Sequence, residues 1–165
     1  MKLHDKVALI TGAGSGFGAE MARCFVAEGA KVVVVDIAEA NGRAVAQDLA
    51  DAGRFVQADV SQGTEIRAAV DAACVAFGRL DILVNNAGIG EMSPSKNYKL
   101  ERWKNMIDTN LTGTFLCCRE MGKMMIKQKK GNIINFSSMA GQIGFSIGYS
   151  AYATTKIGIV GLTRS

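Results

Sequence analysis

The sequence predicts an α/β protein in which a doubly wound parallel β-sheet carries helices on both faces. Apolar, β-branched segments alternate with helix-forming segments five times along the 165 residues, and this alternation requires right-handed crossovers between parallel strands. Residues 32–35 are four consecutive valines, which is typical of a strand buried on both faces. A chain of this length is sized for one domain, so we expect a single domain over residues 1–165.

Short apolar runs bounded by turn residues predict the strands, and helical spacing with stop signals predicts the helices between them. The strands are expected at residues 7–10, 31–36, 54–60, 81–85 and 132–137. The helices are expected at residues 19–28, 38–52, 62–77, 100–130 and 150–165. Ser61 is expected to cap the third helix and Gly78 to end it. A glycine- and serine-rich loop is expected to run from the fifth strand to Gly148.

Charge and hydropathy argue against nucleic-acid and membrane partners. The net charge of +4 is mild, and the one basic cluster, residues 127–130, ends a predicted helix, where cations complement the helix dipole. No apolar run is long enough to span a bilayer, and the N-terminus has no signal-peptide pattern. We therefore expect a cytoplasmic protein that binds neither nucleic acid nor membrane.

The histidine and the cysteines exclude several kinds of site. His4 is the only histidine, so histidine-based triads and multi-histidine metal sites are excluded. The cysteines show no C-x-x-C spacing and fall in predicted helices, so we expect buried or half-buried free thiols in a reducing compartment and no metal site. They are Cys24, Cys74, Cys117 and Cys118.

A glycine-rich turn, residues 11–18, joins the first strand to the first helix. Three residues separate Gly12 from Gly16 and one separates Gly16 from Gly18, which differs from the plain G-x-G-x-x-G spacing. Glycines allow the backbone to approach a pyrophosphate closely, and the N–H groups at the start of the helix favour the anion. The turn therefore indicates a dinucleotide site, the alternative being an ordinary strand–helix turn.

Asp36 closes the second predicted strand about twenty residues after this turn. A carboxylate there can accept hydrogen bonds from the 2′- and 3′-hydroxyls of an adenosine ribose, and it would repel a 2′-phosphate. Ser15 and Ile37 supply no cation to hold such a phosphate, so NAD is favoured over NADP. The alternative is an aspartate at a surface strand end.

Polar residues that follow the later strands are further candidates. Asp59 and Asn86 end up at the carboxyl edge of the sheet, where they either contact a ligand or form turns. Tyr152 and Lys156 lie four residues apart and share a helix face. A lysine cation favours the phenolate form of a neighbouring tyrosine, which makes the pair an acid–base candidate, whereas an ordinary surface pair is the alternative. Tyr149 has alanine, not lysine, four residues on.

In this order and combination, the motifs resemble those of the short-chain dehydrogenase/reductase family in its form of roughly 250 residues. The matching positions are Thr11 and Gly12 with Gly16 and Gly18, then Asp59, Val60, residues 85–88, Asn110, Ser138, Tyr152 and Lys156. The resemblance implies a Rossmann sheet of strand order 3-2-1-4-5 and hydride transfer between a nicotinamide and an alcohol or carbonyl carbon.

The resemblance also implies roles for single residues. Tyr152 matches the general acid–base, Lys156 the residue that favours its phenolate and binds the nicotinamide ribose, and Ser138 the residue that polarises the substrate oxygen. Asn110 matches an asparagine that holds a proton-relay water. The implied cofactor-binding residues are Gly12, Ser15, Gly16, Phe17, Gly18, Asp36, Asp59, Val60, Asn86, Ala87, Gly88, Tyr152 and Lys156.

Substrate and assembly follow less directly from the resemblance. The resemblance leaves open a 3-oxoacyl thioester, a sugar acid or polyol, and a steroid-like ketone as substrates. The NAD-type Asp36 favours oxidation of a polyol or sugar acid, with a 3-oxoacyl thioester reductase and a catalytically inactive nucleotide-binding module as alternatives. Because residues 161–165 hold no helix stop signal, and the family continues into a sixth and a seventh strand, we expect the chain to be incomplete at its C-terminus. The family implies a homotetramer or homodimer.

Overall fold

The five predicted strands form one parallel sheet in the computed structural model, which describes residues 1–143 and 148–165. They are β1 (Val7–Thr11), β2 (Lys31–Asp36), β3 (Gly53–Gln57), β4 (Ile82–Asn85) and β5 (Asn132–Asn135). Their order is β3-β2-β1-β4-β5 and every neighbouring pair is parallel. The predicted fold class and strand order are confirmed.

Six α-helices alternate with the strands in the described ranges. They are α1 (Gly16–Ala27), α2 (Glu39–Asp48), α3 (Gly63–Phe77), α4 (Leu100–Ile107), α5 (Gly113–Gln128) and α6 (Ser150–Arg164). The helix predicted over residues 100–130 is interrupted, because a π-helical turn at Asp108–Thr112 separates α4 from α5. The predicted loop before Gly148 includes residues 144–147, which lie outside the described residues.

The central strands β1, β2 and β4 are buried along most of their length, because their side chains alternate between two apolar layers. The edge strand β5 is largely exposed. On one face Leu9 and Val33 pack with Ile66 of α3 and Met121 of α5. On the other face the strands pack with α1 and α2, for example through Val45. All five residues of β1 are buried, which places this strand at the centre of the core.

β3 and β5 end earlier than predicted, at the last residues that pair with a neighbouring strand. Asp36 pairs with Gln57 in the last register position of β3, so Asp59 and Val60 follow the strand and do not belong to it. Asn85 pairs with Asn135 at the end of β5, so Phe136 follows that strand. The Ala58 N–H donates to the Asp36 carbonyl (3.2 Å) and the Phe136 N–H to the Asn85 carbonyl (3.1 Å), and these bonds close the two ladders.

The cap predicted for the third helix is wrong. Gln62, not Ser61, precedes α3, and no side chain caps that helix. The Ser61 N–H donates to Asp59 Oδ1 (2.9 Å) and the Asp59 N–H donates to Glu65 Oε2 (2.7 Å). An aspartate that accepts from the backbone two residues on forms a turn, so Asp59 shapes the entry to α3.

The cysteines are free, as expected, but their burial differs. Cys24 is exposed, which contradicts the prediction for that residue, whereas Cys117 is buried. Burial raises the pKa of the Cys117 thiol to about 12. Among residues 1–143 and 148–165, no cluster of histidine, cysteine, aspartate and glutamate could hold a metal ion. In the same ranges, no helix combines the length and apolar character needed to cross a bilayer.

Candidate active site

The sequence-predicted site residues gather at the carboxyl edge of the sheet, around two adjoining clefts. The first, here the tyrosine cleft, has a volume of about 690 Å³ and is lined by Phe17, Asn86, Gly88, Ser138, Tyr152 and Lys156 among others. The second, here the glycine-loop cleft, has a volume of about 530 Å³; its lining includes Gly12, Ser15, Phe17, Asp36, Asp59, Val60, Asn86, Ala87 and Gly88. Gly16, Gly18 and Asn110 line neither cleft.

The turn between β1 and α1 requires its glycines for two different reasons. Gly12 (φ +63°) and Gly16 (φ +53°) adopt the left-handed conformation that side chains disfavour. Position 18 requires glycine because there is no room for a side chain: a Cβ there would lie 2.2 Å from the carbonyl oxygen of Gly12. A Cβ on Gly12 would in turn lie 2.8 Å from Ala87 Cα. The turn is therefore pressed against the segment that follows β4.

Asn86 and Thr11 join these two segments. The Asn86 side-chain amide donates to the carbonyl oxygens of Thr11 (3.0 Å) and Gly12 (3.1 Å). The backbone N–H groups of Asn86 and Ala87 both donate to Thr11 Oγ1, each at 3.1 Å. Asn86 thus holds the turn in place. Sequence reasoning used Thr11 as a motif position and missed this contribution of its hydroxyl.

Asp36 lies in the glycine-loop cleft and supports the turn from its other side. Its Oδ2 accepts from the Gly14 N–H (2.8 Å) and its Oδ1 accepts from the Ala38 N–H (2.9 Å). A Cβ on Gly14 would lie 2.9 Å from Asp36 Oδ2, so the second glycine of the turn keeps this contact open. Neither lysine nor arginine occurs among the described residues that line this cleft.

Lys156 lies at the base of the tyrosine cleft with only 6% of its surface exposed. Its Nζ donates to the Phe136 carbonyl (2.8 Å) and lies 5.5 Å from the centroid of the Tyr152 ring. Ser137 Oγ donates to the Lys156 carbonyl (2.7 Å) and fixes α6 against the end of β5. Burial lowers the pKa of Lys156, because desolvation disfavours the cation. The positioning role of Ser137 had no signal in the sequence beyond its place beside Ser138.

Ser138 lines the same cleft as Tyr152. Its Oγ accepts from the Ala140 N–H (3.2 Å) and so begins the short 3-10 helix Met139–Gly141. Because this bond uses only a lone pair, the hydroxyl hydrogen is left to donate to a ligand oxygen. Tyr149 contributes a second ring, with its centroid 6.0 Å from that of Tyr152.

Asn110 is fully buried in the π-helical turn, behind the cleft. Its Oδ1 accepts from the Ile89 N–H (2.8 Å) and its Nδ2 donates to the Ile89 carbonyl (2.9 Å). A Cβ on Gly88 would lie 3.3 Å from Asn110 Oδ1 and 3.8 Å from Lys156 Nζ. Asn110 therefore orients the segment after β4 beside Lys156. The relay water expected from the resemblance stays a prediction.

Replacing Lys156 with methionine removes the desolvation cost of the buried cation without creating a cavity, and it also removes the Nζ bond to the Phe136 carbonyl. We expect the first effect to be the larger, so the free energy of unfolding at pH 7 should rise. Below its lowered pKa, Lys156 is charged in both the folded and the unfolded state, and the full desolvation cost applies. Above its ordinary value of 10.5 it is neutral in both states and the cost vanishes. The stability difference between variant and wild type should therefore shrink as pH rises towards that value.

Chemical denaturation of both proteins between pH 7 and about pH 10.5 measures this difference. Lys127→Met is the matched control, because Lys127 is exposed at the end of α5. We expect no such gain for the control. A Lys156→Met protein that is less stable at pH 7 would contradict the argument.

The chain matches a family model described as short chain dehydrogenase over residues 6–165. It is 47% identical over 164 residues to a 3-alpha-(or 20-beta)-hydroxysteroid dehydrogenase of Mycobacterium tuberculosis, covering 99% of this chain and 63% of that relative. It is 37% identical to a D-threitol dehydrogenase of Mycolicibacterium smegmatis (99% and 64% covered). It is 41% identical to a 3-oxoacyl-[acyl-carrier-protein] reductase of Synechocystis (99% and 67%). The chain thus spans 63% to 67% of the length of these relatives.

Proposed function

Since the chain belongs to the short-chain dehydrogenase family, we propose that the protein is an NAD-dependent oxidoreductase that interconverts a secondary alcohol and a ketone. The observation that carries this proposal is the adjacency of the two clefts, which share Asn86 and Gly88. A dinucleotide held at the glycine turn would lead directly to Tyr152 and Lys156. We propose residues 1–165 as its single nucleotide-binding domain.

The turn residues fit a dinucleotide. Both Gly12 and Gly18 face backbone so closely that a Cβ would clash, and the same lack of side chains lets a pyrophosphate approach the start of α1. Asp36 keeps lone pairs beyond the two that accept from Gly14 and Ala38, so it could accept from ribose hydroxyls. Asp59, Val60 and Ala87 would complete this end of the site.

The side chains of the tyrosine cleft can transfer the proton of the substrate hydroxyl group. In the oxidative direction the Tyr152 phenolate takes the hydroxyl proton while Ser138 donates to the same substrate oxygen. The Lys156 cation favours the phenolate from its position near the ring. A bound nicotinamide supplies the acceptor for the hydride that leaves the carbinol carbon. The products are a ketone, a protonated Tyr152 and the reduced cofactor.

Asp36→Asn should reduce the preference for NAD over NADP by about tenfold, because the hydrogen bonds that the ribose hydroxyls donate to a charged acceptor are weakened and the repulsion of a 2′-phosphate ends. Asparagine keeps one acceptor oxygen, so part of the support for Gly14 remains. Titrating each cofactor against the variant and the wild type checks this. Equal affinities of the wild type for NAD and NADP would contradict the assignment of NAD.

The proposal is tested by NAD-dependent oxidation of secondary alcohols, with binding measured separately as an NAD-dependent rise in melting temperature. Binding together with NADH formation would support it, and binding without turnover on any alcohol or ketone would favour the inactive nucleotide-binding module. The Synechocystis relative favours a 3-oxoacyl thioester reductase as a second candidate. That candidate requires faster reduction of a 3-oxoacyl thioester than of a simple ketone.

We also propose that the protein assembles as a homotetramer or homodimer through the two last helical segments predicted from the sequence, which correspond to α4 with α5 and to α6. Phe115 and Ile126 of α5 are exposed, at 46% and 78%, and exposed apolar side chains on one helix suit a subunit contact. The substrate is a small molecule in either case.

A further inference from the structure

The described walls of the tyrosine cleft are mainly apolar. Met92 and Met139 are 59% and 71% exposed and line only this one of the two clefts, whereas Ile89 and Phe17 line both. Large apolar side chains left open to water around one cavity mark a binding surface. Methionine suits such a surface, because its flexible thioether adapts to ligands of irregular shape.

Polar side chains in this cleft are concentrated where the chemistry is proposed. Ser138, Tyr152 and Lys156 form that group, with Ser137 and Tyr149 beside it. The Ser137 hydroxyl already donates to the Lys156 carbonyl. Elsewhere Asn86 already donates to Thr11 and Gly12. Glu91, the one acidic residue among the described lining, is paired with Arg102. A ligand with many hydroxyl groups would therefore leave several of them without partners, at a cost for each.

We propose that the substrate is an uncharged secondary alcohol or ketone on a bulky alicyclic skeleton, with Met92 and Met139 in contact with that skeleton. This inference rests on the proposed function. Apolar walls gain from covering a hydrocarbon skeleton, whereas the carboxylate of a sugar acid would lose hydration against them. The sequence favoured a polyol or sugar acid on the strength of Asp36, which lines the other cleft and has no contact with this part of the site.

The test compares kcat/KM for three alcohols in the full-length natural protein: 2-decalol, xylitol and D-gluconate. We expect 2-decalol to exceed both others by about 100-fold, the scale on which pockets discriminate by apolar contacts. A preference for xylitol or gluconate would overturn the inference while leaving the proposed oxidoreductase function intact.

Two variants test the methionines. Met92→Gln and Met139→Gln keep the length of the side chain, lie on separate segments, and should each raise KM for 2-decalol about tenfold with little change in kcat. Val75→Gln is the control, because Val75 is 90% exposed on α3, away from both clefts and from the proposed subunit contact, and it should leave KM unchanged. Unchanged KM in both methionine variants would overturn the inference.

Binding separates this inference from the proposed function. If 2-decalone raises the melting temperature of the NAD-bound protein and no alcohol is oxidised, the inference of an apolar ligand is supported and the oxidoreductase function is overturned. If 2-decalone neither binds nor is reduced while another ketone is reduced, the function stands and the apolar substrate class fails. If no ketone binds or reacts, both are overturned.

Discussion

Tyr152→Phe is expected to lower kcat for alcohol oxidation by about 10³-fold while NAD binding stays within about twofold. Phenylalanine keeps the ring that lies 5.5 Å from Lys156 Nζ, so packing is conserved. It removes the only atom that can take the substrate proton in the proposed reaction. Steady-state kinetics with a cofactor titration on the same preparation measure both quantities.

The matched control is Tyr149→Phe, since both rings line the tyrosine cleft and their centroids are 6.0 Å apart. Tyr149 has no lysine four residues on, and we expect its variant to keep kcat within about tenfold of wild type. Normal turnover in Tyr152→Phe would refute the mechanism. A larger loss of kcat in Tyr149→Phe than in Tyr152→Phe would assign the acid–base role to Tyr149.

Gly18→Ala is expected to destabilise the protein by about 3 kcal/mol and to weaken NAD binding at least about 100-fold. The added Cβ would lie 2.2 Å from the Gly12 carbonyl oxygen and 2.7 Å from Asn86 Nδ2. Because the first neighbour is backbone, the turn itself must move. That movement would break the contacts by which Asn86 holds Thr11 and Gly12.

Gly122→Ala gives the opposite expectation for the same substitution. Gly122 lies in α5, and a Cβ there would meet nothing within 4 Å. Alanine is the better helix former, so this variant should be more stable by about 0.5 to 1 kcal/mol. Denaturant unfolding and NAD titration of the two variants side by side check the pair. Retained NAD affinity in Gly18→Ala would show that the turn does not bind the cofactor as proposed.

The strands could be predicted because the central strands of a parallel sheet are nearly continuous apolar runs, as in residues 32–35. Their order was implied by the resemblance to the family. The residues at which the strands end could not be predicted. β3 stops at Gln57 because β2 stops at Asp36, and a ladder partner's last residue is not visible in the run itself. The family motifs identified the candidate site because they occur together and in order.

The internal support of the site was much harder to predict. The π-helical turn at Asp108–Thr112 has helix-forming neighbours on both sides, so local sequence favours an uninterrupted helix. Its buried Asn110 is held by the backbone of Ile89, which is 21 residues away along the chain. Contacts of this kind arise from tertiary packing, and sequence spacing carries no signal for them.

Asp36 accepts two hydrogen bonds from the backbone, and this has a consequence for how the protein could evolve. One carboxylate supports the glycine turn through Gly14 and is also proposed to select the cofactor. A single substitution that admits NADP would therefore also loosen the turn. A lineage that changes its cofactor should therefore acquire a second substitution that restores support for Gly14. The order of the two substitutions would matter, because the one that supports Gly14 is harmless alone, whereas the one that admits NADP loosens the turn.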